Sequence, residues 1–181
     1  METIGIDCGA NVGLVTASML KSCDRIYAFE PNPYAFRELQ SRFEDLPNVI
    51  CYNKAVLDRE DSVKLFFHEN SDEDEVLWST GSSLLNIKDN VCKNKFTKVQ
   101  AVDLCSFIED LNCNIKILKM DVEGVEYQII HKLIDTNLIH KIEKLHVELH
   151  AKKIPELKDK EDKLKNRISN LNLKNINIDW I

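Results

Sequence analysis

The sequence lacks the features that mark exported, membrane-spanning and nucleic-acid-binding proteins. No apolar run approaches the roughly 20 residues of a membrane-spanning helix, and the N-terminus has neither the basic nor the apolar region of a signal peptide. No run of Lys and Arg exceeds two residues, and 24 basic against 30 acidic side chains give 24 − 30 = −6. Because binding to a nucleic-acid duplex needs clustered cations, we expect a cytoplasmic protein that binds neither nucleic acid nor a membrane.

Closely spaced cysteines are also missing. The six cysteines, at positions 8, 23, 51, 92, 105 and 113, form no Cys-x-x-Cys pair and do not have the spacing of a zinc ribbon. An even number of cysteines permits disulfides, but the missing export signal disfavours them. We therefore expect reduced thiols that pack as small apolar side chains in the core.

The sequence has enough apolar residues for one folded domain. Its 181 residues are 44% apolar, and a domain of this size buries roughly two-thirds of the surface that its unfolded chain exposes. There is no internal repeat and no low-complexity linker. We therefore predict a single domain over residues 1–181.

Strand-like and helix-like segments alternate along the chain. The predicted strands lie at residues 4–7, 26–29, 49–53, 63–68, 97–102, 115–121, 145–150 and 176–180. The predicted helices lie at residues 14–20, 33–43, 104–111 and 126–133, with a last helix that begins at Pro155. This alternation predicts an α/β fold with a mostly parallel sheet and helices on both faces.

A glycine turn joins the first strand to the first helix. Residues 7–13 read Asp-Cys-Gly-Ala-Asn-Val-Gly, at the sheet edge where open α/β folds bind nucleotides. A dinucleotide fingerprint would need glycine at positions 9, 11 and 14, but the chain has Gly9, Asn11 and Leu14. No Lys-Ser or Lys-Thr pair follows at the spacing of a P-loop. The pattern therefore favours a nucleoside ligand without a pyrophosphate.

Glu30 ends the second predicted strand, 21 residues after Gly9. An acid near this spacing accepts hydrogen bonds from ribose hydroxyls in related folds. Together with Asp7, Glu30 suits a ligand that carries hydroxyls and positive charge, and S-adenosylmethionine has a ribose diol, an ammonium and a sulfonium. The alternative interpretation makes Asp7 a helix cap and Glu30 a solvated strand end.

Four segments resemble, in chain order, the signature segments of the FkbM family of S-adenosylmethionine-dependent O-methyltransferases. They are Asp-Cys-Gly-Ala-Asn-Val-Gly at 7–13, Ala-Phe-Glu-Pro-Asn-Pro at 28–33, Asn-Lys-Ala-Val at 53–56 and Lys-Met-Asp-Val-Glu-Gly-Val-Glu at 119–126. The resemblance extends over residues 4–150, and the last segment is the least generic. A weaker match is the serine pair at residues 82 and 83.

The resemblance implies a class I methyltransferase fold, which is a Rossmann-like three-layer αβα sandwich with S-adenosylmethionine over the carboxyl ends of the first strands. The cofactor contacts that it implies are Asp7, Gly9, Ala10, Asn11, Gly13, Glu30, Asn32, Ala55 and Asp121. Ala55 is expected at the end of the third strand. We also expect shortened N- and C-terminal edges, because the usual N-terminal helix and closing antiparallel strand pair are not visible in the sequence.

Methyl transfer to a hydroxyl is helped by a base close to the methyl group. The strand ends and the resemblance give Asp121, Glu148 and His150 as predicted catalytic residues. Strand alternation in residues 145–150 would place His146, Glu148 and His150 on one face.

Two other interpretations of that face stay open. In one, His146, Glu148 and His150 bind a metal ion together with Asp121 or Glu123, although we predict no metal. In the other, Glu148 is structural, either as an acceptor for a helix N-terminus or as a partner of Lys119. Lys119 lies in a strand that should be covered, so we expect it to pair with Glu123 or Glu126.

We therefore predict an O-methyltransferase that uses S-adenosylmethionine to methylate a hydroxyl of a small molecule, sugar or glycan-linked intermediate. One alternative is a protein of the same fold that binds the cofactor without turnover and serves as a partner subunit. Another is a nicotinamide-dependent oxidoreductase, which Asn11 and Leu14 disfavour because both replace fingerprint glycines.

Overall fold

The computed structural model describes residues 2–178. Its strands are β1 (Ile4–Cys8), β2 (Arg25–Phe29), β3 (Val49–Tyr52), β4 (Ala55–Leu57), β5 (Asp61–His68), β6 (Val91–Asp103), β7 (Ile115–Met120), β8 (Ile142–Val147) and β9 (Ile176–Asn177). Its α-helices are α1 (Leu14–Met19), α2 (Pro33–Arg42), α3 (Leu104–Leu111), α4 (Glu126–Asp135) and α5 (Lys158–Asn170).

The main sheet has six strands in the order β3-β2-β1-β7-β8-β9, and each neighbouring pair is parallel. Because β1 is central and its neighbours β2 and β7 lie on opposite sides, the carboxyl ends of these three strands share one edge. The predicted α/β fold with a mostly parallel sheet is confirmed.

Alternate residues of the central strands face opposite helix layers, as the period of two requires. The layer of α3, α4 and α5 covers Ile6, Cys8, Phe29, Leu118 and Met120. The layer of α1 and α2 covers Ile26, Ala28 and Ile117. The predicted three-layer αβα sandwich follows from this packing.

A second sheet has three strands in the order β4-β6-β5. β5 and β6 are antiparallel, and β4 pairs with β6 in parallel. The connection between β5 and β6 contains a short 3-10 helix, Leu77–Gly81, and returns to β5 where Ser83 pairs with Phe66. This connection covers the carboxyl edge of the main sheet.

Side-chain caps fix the starts of two helices. Asn32 precedes α2, and its Oδ1 accepts hydrogen bonds from the backbone N–H groups of Tyr34 and Ala35. Asp103 precedes α3 and accepts from the N–H of Cys105 at 3.0 Å. Each cap fixes the point where a strand or loop becomes a helix.

The structure differs from the sequence prediction at several strand boundaries. β8 begins at Ile142 and ends at Val147, so residues 148–150 are not part of the strand. β6 is 13 residues long and begins before the predicted segment 97–102. β4 was not predicted. The last predicted strand is present at Ile176–Asn177, and residues 179–180 lie outside the described part of the chain.

All six cysteines are free thiols, and Cys8, Cys23 and Cys105 are buried. The other three are partly exposed, so the expectation of core thiols applies to half of them. Among residues 2–178, no helix has the length and apolar character needed to cross a membrane.

Candidate active site

A cleft opens where β1, β2 and β7 end. The space inside it is about 650 Å³, a figure that includes open solvent. The residues that line the cleft come from the glycine turn, the ends of β2 and β7, the start of β4 and the connection after β5: Gly9, Asn11, Phe29, Glu30, Pro31, Lys54, Ala55, Val56, Leu65, Ser79, Thr80, Ser82, Ser83, Leu84, Asp121, Val122 and Glu123.

Gly9 forms the floor of the cleft at the first turn after β1. Its φ is +79°, and a Cβ at this position would lie 1.8 Å from the backbone oxygen of Asp121. Only glycine fits, because the turn packs directly on the chain that leaves β7. The turn is fixed further by the N–H groups of Gly9 and Ala10, which both donate to the carbonyl of Phe29.

Gly13 and Ala10 support the turn and do not line the cleft. Gly13 has a φ of +85°, and a Cβ there would come within 2.6 Å of Phe43 and 2.8 Å of Leu39 on the α2 side. Ala10 is buried. These two predicted cofactor residues therefore shape the turn through packing.

Glu30 lines the cleft with a carboxylate that the backbone holds in place. Its Oε2 accepts from the N–H of Asn11 at 2.8 Å, and its Oε1 accepts from the N–H of Asn32 at 2.7 Å. Burial raises the pKa of Glu30 to about 7, although these two hydrogen bonds favour the charged form. Glu30 is therefore a buried acceptor, whereas the alternative interpretation placed it in solvent.

Asp7 lies beneath the turn, with no exposed surface. Its Oδ2 accepts from the hydroxyl of Thr16 at 2.6 Å, and its Oδ1 lies 3.4 Å from the ammonium of Lys119. Lys119 also donates to the carbonyl of Gly9 at 2.5 Å and lies 3.7 Å from Asp121. Burial opposes a charged lysine, but Asp7 and Asp121 hold the pKa of Lys119 above its usual range.

The predicted partners of Lys119, Glu123 and Glu126, are therefore wrong. Strand alternation places Lys119 beside Asp7 on the neighbouring strand, as the register of β1 with β7 shows. Asp7 thus contributes to the cleft through Lys119 and the turn rather than by lining it.

The connection after β5 is tied to the turn by a pair of amide–hydroxyl hydrogen bonds. The Nδ2 of Asn11 donates to the Oγ of Ser79 at 2.9 Å, and the Nδ2 of Asn32 donates to the Oγ of Ser82 at 3.0 Å. Asn32 is almost fully buried and caps α2, so it holds the wall of the cleft from behind.

Ala55 lies in an apolar wall formed with Val56 and Leu65. It is the first residue of β4, and β3 ends at Tyr52, so the predicted position at the end of the third strand is wrong. The second sheet, which the sequence analysis did not place against this edge, brings Ala55 to the cleft.

Asp121 and Glu123 reach the cleft from the segment after β7. Burial raises the pKa of Asp121 to about 6, although the charge of Lys119 opposes this shift. Glu123 has a φ of +57°, which is a rare conformation for a side-chain-bearing residue. Its Oε2 accepts from the buried ammonium of Lys88 at 2.6 Å, and its carbonyl accepts from the Ser83 hydroxyl at 2.9 Å.

His150 lies behind these two carboxylates, with no exposed surface and outside the cleft lining. Its Nδ1 is 2.9 Å from Glu126 Oε1, and its Nε2 is 3.3 Å from Glu123 Oε2 and 3.5 Å from Asp121 Oδ1. Burial disfavours the protonated ring, but Glu126, Glu123 and Asp121 outweigh burial and raise the pKa of His150.

Glu126 is fully buried and accepts from the N–H groups of Val122 and Gly124. It therefore fixes the loop between β7 and α4 as well as the ring of His150.

Glu148 is at the rim of this cluster. It pairs with Lys153 at 2.7 Å and lies 3.8 Å from His150 Nε2. Partial burial works against its charged form, but the hydrogen bond from Lys153 lowers the pKa of Glu148. The alternative in which Glu148 pairs with Lys119 is replaced by this pair with Lys153.

His146 is separate from the cluster. It lies in β8, near a small cavity that Val15, Met19 and Ile117 also line, on the side of the sheet covered by α1. The expected single polar face of His146, Glu148 and His150 is wrong, because the strand ends at Val147 and the chain then turns towards Glu126.

Sequence reasoning missed the contributions of Ser79, Lys88 and Leu65. Lys88 belongs to no motif and approaches Glu123 only through the long connection before β6. The serine pair at 82 and 83 was the one signal from this connection, and both serines line the cleft.

Comparison with known proteins agrees with this geometry. The family model described as Methyltransferase FkbM domain matches residues 7–171. The crystal structure of Methyltransferase FkbM from Methylobacillus flagellatus KT matches with a TM-score of 0.55 and 18% identity, over 91% of this chain and 37% of that one. This chain thus spans little more than a third of that protein's length, and the likeness supports the fold. A search of curated proteins found no significant match. With the family model covering most of its length, the chain belongs to the FkbM methyltransferase family.

Proposed function

We propose that the protein is an S-adenosylmethionine-dependent methyltransferase that methylates a hydroxyl of a small molecule or sugar. The observation that carries this proposal is one cleft with Gly9 on its floor, Glu30 on one side and Asp121 on the other. Family membership supports methyl transfer. The side chains of the cleft favour S-adenosylmethionine as the cofactor and a hydroxyl as the acceptor.

The donor and acceptor groups of the cleft fit S-adenosylmethionine. The Glu30 carboxylate has lone pairs left for ribose hydroxyls after it accepts two backbone hydrogen bonds. Ala55, Val56 and Leu65 provide an apolar wall for a base. The side-chain-free floor at Gly9 allows a ligand to approach the backbone, and Asp121 offers negative charge to an ammonium.

When it is bound, this cofactor supplies a methyl group that its sulfonium has already activated. The task of the chain is then to hold an acceptor in line and to exclude water. Asp121 and Glu123 both reach the cleft and are positioned to accept a hydrogen bond from an acceptor hydroxyl. His150 touches these acids from behind, so we assign it a positioning role.

The test begins with calorimetric titration of the chain with S-adenosylmethionine, S-adenosylhomocysteine and NAD. We expect micromolar binding of the two adenosyl ligands and none of NAD. Transfer of a labelled methyl group is then measured against a panel of hydroxyl-bearing sugars and small molecules and their matched deoxy analogues. Transfer to the hydroxyl compounds alone supports the proposal.

Two outcomes would overturn it. If neither adenosyl ligand binds, the cofactor assignment is wrong. If both bind but transfer occurs to amines or to no member of the panel, the hydroxyl acceptor is wrong, and in the second case the partner-subunit interpretation becomes the better one.

A further inference from the structure

We propose that Asp121, Glu123 and His150 bind one divalent transition-metal ion beside the cleft. A ligand atom of each of these residues lies within 4.8 Å of the other two. Binding of the ion does not depend on the proposed function. A role of the ion in catalysis rests on that function.

The distances between the ligand atoms match metal coordination. His150 Nε2 lies 3.3 Å from Glu123 Oε2 and 3.5 Å from Asp121 Oδ1. Ligands about 2.0–2.2 Å from a shared ion are separated by roughly 2.8–3.6 Å in octahedral or tetrahedral geometry. The two distances from His150 fall in this range, and the Asp121 and Glu123 ligand atoms lie within 4.8 Å of each other, so a modest movement of these side chains would bring all three to one ion.

His150 supplies the second observation. The ring has no exposed surface, and among the described residues neither ring nitrogen makes a regular hydrogen bond, although Nδ1 lies 2.9 Å from Glu126 and Nε2 points between two carboxylates. A buried polar atom in this position needs a partner. An ion between Nε2 and the carboxylates would satisfy it.

The other side of the ring has the support that metal-binding histidines usually have. Nδ1 lies 2.9 Å from Glu126 Oε1, and two backbone N–H groups hold the Glu126 carboxylate in place. A carboxylate on the far nitrogen fixes the tautomer and orientation of a ligand histidine. His150 is thus oriented with Nε2 as the free ligand atom.

The acidic side chains around Asp121, Glu123 and His150 are not fully neutralised by lysines. The described lysines that pair with these acids are Lys88 on Glu123, Lys153 on Glu148 and Lys119 on Asp121, and Lys119 is shared with Asp7. The carboxylates therefore outnumber the ammonium groups. Lys88 and His150 both face Oε2 of Glu123, so an ion would either share this oxygen with Lys88 or bind Oε1 after the carboxylate rotates.

The ligand set indicates the class of ion and of acceptor. One imidazole with two carboxylates suits Mn²⁺ or Zn²⁺ better than Mg²⁺, which prefers oxygen alone. Three protein ligands leave a coordination position open. Asp121 and Glu123 line the cleft, so the open position would face an acceptor, whose hydroxyl oxygen would bind the ion and lose its proton more readily.

The test is titration of chelator-treated protein with Mn²⁺, followed by electron paramagnetic resonance, and with Zn²⁺, followed by calorimetry. We expect one ion per chain, and at least tenfold weaker binding in the near-isosteric variants Asp121→Asn and Glu123→Gln. Glu148→Gln, which removes a nearby charge but no proposed ligand, should change affinity less than threefold. Circular dichroism of each variant checks that the fold is retained.

Absence of a one-to-one complex with either ion in the parent protein would overturn the proposal. An equal loss of affinity in Glu148→Gln and Glu123→Gln would also overturn it, since it would indicate diffuse attraction by acidic side chains. Titration of the same samples with S-adenosylhomocysteine separates the two proposals. Cofactor binding without ion binding rejects the metal site alone, and ion binding without cofactor binding rejects the proposed function alone.

Discussion

Glu30 links the affinity of the cleft to pH. Its pKa is raised to about 7 by burial, so near neutral pH a substantial fraction of the carboxyls is protonated. Ribose hydroxyls need the charged acceptor, and the charged fraction rises about tenfold between pH 6 and pH 8. We predict that affinity for S-adenosylhomocysteine rises by up to about tenfold over this interval, as measured by calorimetry.

Glu30→Gln is the control for this prediction. The variant should bind the ligand more weakly and lose the part of the pH dependence that Glu30 causes. The free energy of unfolding should depend on pH in the opposite sense from ligand affinity, because the folded state holds the Glu30 proton more tightly than the unfolded state does. The contribution of the protonated Glu30 to the free energy of unfolding is full below about pH 4.5 and is lost as pH rises through about 7. An unchanged pH profile in Glu30→Gln would remove Glu30 from the ligand.

Gly9 is required by the fold before any ligand binds. We predict that Gly9→Ala lowers the free energy of unfolding by about 3 kcal/mol, because its φ is +79° and its Cβ would meet the Asp121 carbonyl at 1.8 Å. Gly5→Ala, in β1 just before the turn, is the matched control. There the Cβ would meet the flexible end of Met19 at 2.8 Å, so we expect a loss of about 1 kcal/mol.

Urea unfolding of the parent protein and both variants gives the loss in free energy of unfolding at each position. Equal losses at the two positions would show that the chain after β7 moves away from the turn without penalty. The close contact between Gly9 and Asp121 would then not define the floor of the cleft.

At the scale of elements, the connection between β5 and β6 closes one side of the cleft through single hydrogen bonds. Ser79 and Ser82 accept from the side chains of Asn11 and Asn32. We predict that Ser79→Ala and Ser82→Ala each weaken binding of S-adenosylhomocysteine by about 2–10-fold, which corresponds to one hydrogen bond. Ser18→Ala, at an exposed serine in α1, is the matched control and should leave affinity unchanged.

The double variant tests whether the two bonds hold the connection together. If the connection moves as one unit, the combined loss will differ from the product of the single losses. Ser82→Ala should also lower the unfolding temperature modestly, because both serines are buried and this change leaves the buried Nδ2 of Asn32 without its acceptor. Affinity that stays unchanged in all three variants would contradict this role of the connection.

Elements with a strong local pattern could be predicted from the sequence. β1, the glycine turn and α1 follow from an apolar run, two glycines and a helical stretch, and α3 occupies the predicted residues 104–111. β4 has only three residues, and it pairs with β6, more than forty positions away. No local pattern identifies such a strand, since its stability comes from a partner that is distant in the chain.

In the candidate site, too, some residues could be predicted from the sequence and others could not. Glu30 and Asp121 follow strands that end at one edge of a parallel sheet, so topology alone brings them together. The position of His150 depends on where β8 ends. Alternation was extended three residues beyond Val147, and this placed His146 wrongly beside His150. Lys88 reaches Glu123 through a long connection whose path no periodicity determines.

At the scale of the whole molecule, the reactivity of the buried cysteines measures how much of the fold must open before the central strand is exposed to solvent. Cys8 lies in the central strand with no exposed surface, and burial raises the pKa of its thiol far above the usual range. Cys105 is also buried, and burial raises the pKa of Cys105 to about 11. Because the thiolate is the reactive form, both thiols should be inert in the folded state.

We predict that iodoacetamide modifies the partly exposed Cys51, Cys92 and Cys113 well before it modifies Cys8 or Cys105. Mass spectrometry of peptides from a time course gives the order. Modification of Cys8 requires that β1 separates from both β2 and β7, so its rate should follow global unfolding and rise with urea. S-adenosylhomocysteine binds only the folded state in our proposal, so it should slow this reaction by a factor of 1 + [L]/Kd, where [L] is the free ligand concentration. Modification of Cys8 as fast as Cys92 would show that the central strand opens locally, and a cleft built on its carboxyl end would then not be preformed.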